Sequence, residues 1–333
     1  MRPTLLLLLL ALALAAPMAA AMPMGINLGN TLEEALERPT QQAQERFFAA
    51  YQAAGFSLVR VPVRWDNHTL PVAPYTVDAA WLARVATVVG WGTSRGLRVI
   101  VNSHDDRWLD SADDAAFAAA LPRFLAIWRQ VAAALAAFPP LLAFEIFNEP
   151  HEMSLVSLNA MQAQAHAAVR AVSPARDVIV CGLEMDGPWW ILGKAGAGLA
   201  LPALADGSPD PHFALSVHDY DPFQFASPPL SIFSWGSADE VRHVAETFAN
   251  LTAWARARRP PPSPPLPIIL GEYAVSHLQP NAADRLKWYE VYTQAAAVAG
   301  FDAAVLWDDN GWFTTLNRTS MQWDTAVLKA VGL

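Results

Sequence analysis

The 333-residue chain is 53% hydrophobic and 16% charged, with a formal net charge of −9, a balance that excludes a disordered, highly charged protein and leaves apolar surface for one large core. The negative charge, with no cluster of Lys and Arg, excludes a phosphate-rich partner such as nucleic acid. A single cysteine, Cys181, excludes an intrachain disulfide, so stability must come from packing.

Residues 1–21 have the pattern of a secretory leader: Arg2, an apolar run from Leu5 to Ala16, then small residues closing on Met18-Ala19-Ala20-Ala21. The run is short for a bilayer span. The expectation is cleavage after Ala21, secretion to the extracellular space, no membrane attachment afterwards, and a monomeric single domain over residues 22–333.

From there, short apolar runs alternate with longer helical ones, the pattern of repeated βα units around a parallel sheet. The strands are expected at Gly25–Leu28, Leu58–Val63, Arg98–Asn102, Leu142–Phe147, Asp177–Cys181, Ala214–His218, Ile268–Gly271 and Ala303–Trp307. Between them, apolar residues at helical spacing predict helices at Gln42–Ala54, Ala79–Ser94, Ala115–Ala137, Leu158–Ala171, Glu240–Arg258, Asp284–Ala299 and Thr325–Val331. The stretch after the fifth strand carries glycines from Gly193 to Gly198 and predicts a short or broken helix. Eight such units in one chain predict an α/β fold, the (β/α)8 barrel.

Three local features need a reading. The run Pro260-Pro261-Pro262-Ser263-Pro264-Pro265 favours extended backbone, but only six strands precede it, so it is a stiff loop before the seventh strand, on the face away from catalysis, and not a domain linker. Cys181, in the run Val178-Ile179-Val180, is expected to be a buried, inert thiol. Asn67-His68-Thr69, Asn250-Leu251-Thr252 and Asn317-Arg318-Thr319 are glycosylation sequons and favour surface loops.

In this fold the active site forms at the C-terminal ends of the strands, and those ends are polar. In chain order they offer Asn30, Arg60, His104 with Asp105 and Asp106, Asn148 with Glu149, His218 with Tyr220, Glu272 with Tyr273, and Trp307 with Asp308 and Asp309. Phe144-Glu145-Ile146-Phe147-Asn148-Glu149-Pro150 is an apolar strand that ends abruptly in a carboxylate, which is costly unless paired or functional. Glu145, four residues earlier, faces the interior and suits a structural pair with an arginine such as Arg60. Ile268-Ile269-Leu270-Gly271-Glu272 repeats the pattern, with the glycine giving room for close approach. Two glutamates on strands four and seven face each other across a barrel mouth, and cleavage of a glycosidic bond needs such a pair. Most of the 13 tryptophans belong in the core, though flat aromatic faces also suit stacking on sugar rings.

Taken together these residues resemble glycoside hydrolase family 5, the cellulase family. Gly25-Ile26-Asn27-Leu28-Gly29-Asn30 is similar to the start of many of its endoglucanases; Arg60, His104, Asn148-Glu149-Pro150, His218-Asp219-Tyr220, Gly271-Glu272 and Trp307 match its hallmark positions in order. Two departures are Asp105 after His104, where a second histidine is common, and Asp219 after His218, where an aromatic is common; both bear on subsites.

The resemblance implies a retaining β-glycoside hydrolase, most simply an endo-β-1,4-glucanase, with no metal and no cofactor. Glu149 would be the acid/base and Glu272 the nucleophile. Arg60 would keep Glu272 charged, and Tyr220 would donate a hydrogen bond to it. Asn148 would hold the sugar 2-hydroxyl, His104 and His218 would contact substrate or Glu149, and Trp307 would stack on the sugar. Asp308 and Asp309 are expected in loop or substrate contacts, with a cation site as the alternative. The same chemistry on mannan, xylan, β-1,3-glucan or a glycolipid stays open, as does a sugar-binding barrel without activity.

Overall fold

The computed structural model describes residues 22–34, 42–259 and 262–333. The leader, with its cleavage site, lies outside the described residues, as do Pro260 and Pro261.

Eight parallel strands close into a barrel in sequential order: β1 Met24–Asn27, β2 Leu58–Val61, β3 Arg98–Asn102, β4 Leu142–Glu145, β5 Asp177–Val180, β6 Phe213–His218, β7 Ile268–Tyr273 and β8 Ala303–Leu306. The helices are α1 Glu45–Ala53, α2 Ala79–Thr93, α3 Asp114–Ala134, α4 Leu155–Arg170, α5 Pro188–Leu192, α6 Phe223–Ala226, α7 Ala238–Arg258, α8 Ala282–Ala299 and α9 Thr325–Ala330. The (β/α)8 reading therefore holds. After β5 the helix is the five-residue α5, followed by a 3-10 turn at Ala195–Gly198, the broken element that the glycines predicted.

α2 and α9 begin where expected and α1 begins at Glu45 without a side-chain cap, whereas α3, α4, α7 and α8 begin one to three residues before their expected starts, each behind a side-chain cap. Ser237 and Glu240 form a reciprocal capping box at the start of α7, and Asn281 accepts from Asp284 N–H at the start of α8. Such caps satisfy backbone donors that the helix leaves unpaired. Asn250 lies exposed within α7, so its sequon is on a helix and not in a loop; Asn67 and Asn317 are also exposed.

Side chains in a strand alternate between faces, and here the alternation separates two cores. Val59, Val99, Phe144, Val178, Leu215, Leu270 and Ala304 pack outward against the helices. Leu58, Ile100, Ala143, Ile179, Ala214, Ile269, Ala303 and Val305 form a separate apolar plug inside the barrel. Two residues further along the same strands, on the same inward face, the layer turns polar: Asn27, Arg60, Asn102, Glu145 and Ser216 are all buried. The apolar plug is thus the floor on which the polar site stands.

β7 breaks this rhythm. Its register against β6 shifts between Val217 and His218, and against β8 between Leu270 and Tyr273. Strict alternation from Ile269 would turn Glu272 outward; an irregularity of this kind re-aims a side chain next to a site. The strand also runs on to Tyr273, beyond the end expected at Gly271. At Gly271 a Cβ would collide with Ser216 Oγ and the His218 ring, and its carbonyl accepts from Asn27 Nδ2 at 3.0 Å, so the expected close approach is present.

Candidate active site

All eight residues expected at the site come together at the C-terminal mouth of the barrel. Arg60 is at its centre, with no exposed surface. Its Nε donates to Glu145 Oε2 at 2.6 Å. Its Nη1 donates to Glu272 Oε1 at 2.6 Å and to Asn27 Oδ1 at 2.9 Å, and its Nη2 to Asn148 Oδ1 at 2.7 Å. A lysine ammonium could not span four partners; the planar guanidinium fork can. The pairing of Glu145 with Arg60 is the one the sequence predicted. Because the guanidinium only donates, it fixes the Asn148 amide with its oxygen inward and its nitrogen away from Arg60.

The second oxygen of Glu272 accepts from Tyr220 Oη at 2.8 Å. Burial raises the Glu272 carboxyl above its ordinary value, and the charges of His218 and Arg60 work against that rise. Both oxygens accept short hydrogen bonds, one of them from a cation, which is the environment of an anion. Tyr220 stays a donor, since burial and then the neighbouring Glu272 charge push its hydroxyl well above the usual range.

Glu149 follows β4 with φ of 50°, and its Oε1 meets His218 Nδ1 at 2.8 Å. His218 is buried, which disfavours its charge, but Glu272, the Glu149 hydrogen bond and Asp186 outweigh burial and push the ring up to about 9. Its Nδ1 also lies 3.8 Å from Glu272 Oε2. An oxygen of Glu149 and an oxygen of Glu272 stand within 4.8 Å of each other.

Glu149, His218 and Glu272 are near enough to one another to hold one metal ion. A metal takes a neutral imidazole, whereas this ring favours its proton at neutral pH and already bonds to Glu149. The trio therefore suits proton transfer better than metal ligation.

His104 follows β3, and Asn102 Nδ2 holds its Nδ1 at 3.0 Å. Burial, then the charges of Arg60 and His218, push it well below its ordinary range, so it presents a neutral ring. That ring lies parallel to Trp307, with centroids 6.0 Å apart. Six of the 13 tryptophans are buried, five more pack against the core, and Trp189 and Trp312 are exposed.

Two adjoining cavities flank Glu149. One of about 530 Å³ is lined by Glu272, His218, Tyr220, Trp307, Trp189 and Phe223; the other, of about 420 Å³, by Asn148, Asp105, Arg64, Glu33 and His151, and both share His104 and Met185. Together they form a cleft across the barrel mouth with the glutamate pair at its middle. Asp105, which stands where a second histidine is common, pairs with Arg64 at 2.5 Å.

Asp308 and Asp309 are in loop contacts, as the first of their two readings had it. Asp308 accepts from Thr315 and Leu316 N–H and pairs with the buried Arg318; Asp309 accepts from Gly311 and Phe313 N–H. Cys181 is buried, and burial pushes its thiol well above the ordinary value, which fits the inert reading.

Sequence reasoning gave no role to Asn27, Asn102 or Asp186. The first two were open to discovery as inward-facing polar residues at the ends of β1 and β3. Asp186 lies in an irregular loop and carried no periodic signal.

The family model for cellulase (glycosyl hydrolase family 5) matches residues 25–310. Endoglucanase H of Acetivibrio thermocellus is 33% identical over 300 residues, 88% of this chain but 30% of that protein. Cellulase/esterase CelE of the same organism is 27% identical, with 34% of its length covered, so the chain spans about a third of these relatives. The crystal structure of endoglucanase Cel5A from Thermotoga maritima superimposes with a TM-score of 0.82 at 26% identity, covering 93% of this chain and 96% of that one. Cel5A has also been solved with cellobiose and with mannotriose.

Proposed function

The chain belongs to glycosyl hydrolase family 5, the cellulase family, and on that premise we propose that it is a retaining endo-β-1,4-glucanase with Glu149 as acid/base and Glu272 as nucleophile. The observation that carries the proposal is the spacing of the glutamates, with oxygens within 4.8 Å of each other. Inverting enzymes hold their carboxyls about 6.5–9.5 Å apart to admit a water, and retaining ones about 5–5.5 Å.

The steps follow from the contacts. Glu272, held as an anion by Arg60 and Tyr220, attacks the anomeric carbon as Glu149 gives its proton to the leaving oxygen. The glycosidic bond breaks and a glycosyl ester to Glu272 forms. Glu149, now a carboxylate beside His218, takes a proton from water, which attacks the same carbon and frees Glu272. Asn148, fixed by Arg60, turns its amide nitrogen to the sugar 2-hydroxyl, and Trp307 beside His104 is the stacking face. An open cleft that continues on both sides of the pair favours internal cleavage of a polymer. The intact pair argues against a barrel that only binds sugar.

Cel5A has been solved with mannotriose as well as cellobiose, which favours β-mannan as the second reading. Residues 1–21 are proposed as the secretory leader and 22–333 as the catalytic domain of a monomer. Among the described residues no helix is long and apolar enough to cross a membrane. N-terminal sequencing of exported protein should begin near Met22; an intact Arg2 on membrane-bound material would refute the leader.

Hydrolysis of a panel of soluble β-1,4-glucan, galactomannan, xylan and β-1,3-glucan tests the substrate. The fastest release of reducing ends is expected on the β-1,4-glucan. Preference for mannan would leave the chemistry and change the substrate, and no turnover of any would overturn the enzyme assignment. Proton NMR of the first-formed product should show the β-anomer; the α-anomer would contradict retention.

A further inference from the structure

Behind the glutamate pair lies a buried carboxylate that the steps above leave unused. Asp186 closes a loop after β5 in which Glu184, Met185 and Asp186 have φ of 56, 58 and 60°. Side chains other than glycine rarely take that conformation, and such strain persists only where the surroundings enforce it. Here the enforcing contacts come from the catalytic strands. Met185 N–H donates to Pro150 O at 3.3 Å, and His218 N–H donates to Asp186 O at 3.1 Å.

The Asp186 side chain has no exposed surface. Its Oδ2 accepts from the peptide N–H of Glu149 at 3.3 Å and stands 3.7 Å from His218 Nε2. Glu149 has a left-handed backbone of its own, so the carboxylate supports a strained peptide. His218 Nε2 and Ser216 Oγ are buried with no hydrogen-bond partner among the described residues, which is costly for a protein interior, and a further side chain against the Asp186 carboxyl is the buried Cys181 thiol. A carboxylate that braces the loop after β4 looks different here. Asp110 accepts from three successive peptide N–H groups, those of His151, Glu152 and Met153. Asp186 instead accepts from a single peptide N–H and turns Oδ2 to the two groups that handle the proton.

We propose that Asp186 is a positioning residue for proton transfer, fixing the backbone of Glu149 and the far edge of the His218 ring whose near edge bonds to that glutamate. The inference rests on the assignment of Glu149 as acid/base. Around His218 stand Glu149 after β4, Asp186 after β5 and Glu272 on β7, with the neutral His104 ring after β3 and the Arg60 guanidinium on β2 nearby. Asp186 is one of the carboxylates that raise the His218 ring, and burial, followed by the opposing His218 charge, leaves Asp186 itself pushed up to about 8. Asp186 carries its charge in the range near pH 9 where His218 titrates, so removing that charge at constant shape must lower the ring's proton affinity, and losing the Oδ2 acceptor must loosen the seat of Glu149.

The test is Asp186→Asn in the intact chain, with two readouts. In NMR of ¹⁵N-histidine-labelled protein, the His218 transition should move down by about half a pH unit or more. On aryl β-cellobiosides, kcat/KM, which reports formation of the glycosyl-enzyme, should fall about 10-fold for phenyl, which needs a proton to leave, and less than about 3-fold for 2,4-dinitrophenyl, which does not. An unmoved His218 transition, or a loss equal on every leaving group, overturns the proposal. If Asp186→Asn fails to fold, Asp186→Ser is read in the same two ways. Glu149→Gln separates the two levels: a loss independent of leaving group there overturns the acid/base assignment and this inference with it. If Glu149→Gln depends on the leaving group and Asp186→Asn does not, only the role of Asp186 falls.

Discussion

Replacing Arg60 by methionine keeps the aliphatic stem and removes the guanidinium. The side chain is fully buried and bonds at 2.6 Å to both Glu145 and Glu272, so its loss strands two carboxylates away from water. Removing one partner of a buried ion pair costs about 3–5 kcal/mol. With an unfolding entropy of about 2.1 cal/mol/K per residue over about 310 residues, that is a fall in Tm of roughly 5–8 °C. The second effect is on chemistry. Burial already raises the Glu272 carboxyl, and Arg60 is one of the charges opposing that rise. Without it the nucleophile becomes an anion only at higher pH, so the acid limb of kcat/KM should move up by about one unit or more, each unit being about 1.4 kcal/mol. Calorimetry and a pH profile on an aryl β-cellobioside measure the two effects. Arg60→Lys should fall between, since one ammonium cannot reach Glu145, Glu272, Asn27 and Asn148 together. A methionine variant with unchanged Tm and an unshifted acid limb would refute the claim that Arg60 holds this site.

Glu272→Ala should abolish activity on every substrate, and with azide on an activated glycoside should yield the α-glycosyl azide. Glu149→Ala should still form the glycosyl-enzyme from activated aryl glycosides, stall at hydrolysis, and give the β-azide; the opposite anomers would reverse the two roles. Stability should decline between pH 7 and 9. Burial pushes Asp186 up to about 8, and the carboxylates around His218 outweigh its burial and push it up to about 9. Both groups hold more protons folded than unfolded in that window, so stability falls as pH rises through it. Below pH 7, burial lowers His68, His104 and His166 and pulls the other way. Melting curves that rise from pH 7 to 9 would show that His218 and Asp186 are not held as described.

The barrel was legible because each strand is a short apolar run with helical sequence on both sides, and the eight runs are spaced by one βα unit each. Element ends were less legible, and two physical causes account for most of the error. Helix starts depend on which side chain caps the first turn, and Ser237 and Asn281 start α7 and α8 two residues earlier in the chain than the apolar pattern does. Strand ends depend on register, which hydropathy does not encode. β7 reads as ending at Gly271, yet its ladder carries on to Tyr273 through two irregularities.

Those irregularities also explain why the site was easier to populate than to orient. A polar residue at the end of an apolar strand stands out in sequence, and this signal found Arg60, Glu149, His218 and Glu272. Arg60 and Glu145 could even be paired, because both lie an even number of residues above the apolar floor, at Leu58 and Ala143, and so share the inward face. Glu272 lies an odd number above Ile269 and reaches the same space only through the break in register. Glu149 likewise depends on a left-handed peptide whose N–H is met by Asp186, a residue 37 positions away in a loop without period. The chemistry-bearing side chains are written in local pattern. The backbone departures that aim them come from long-range contacts with Asn27, Asp186 and Gly271, and local pattern cannot carry those.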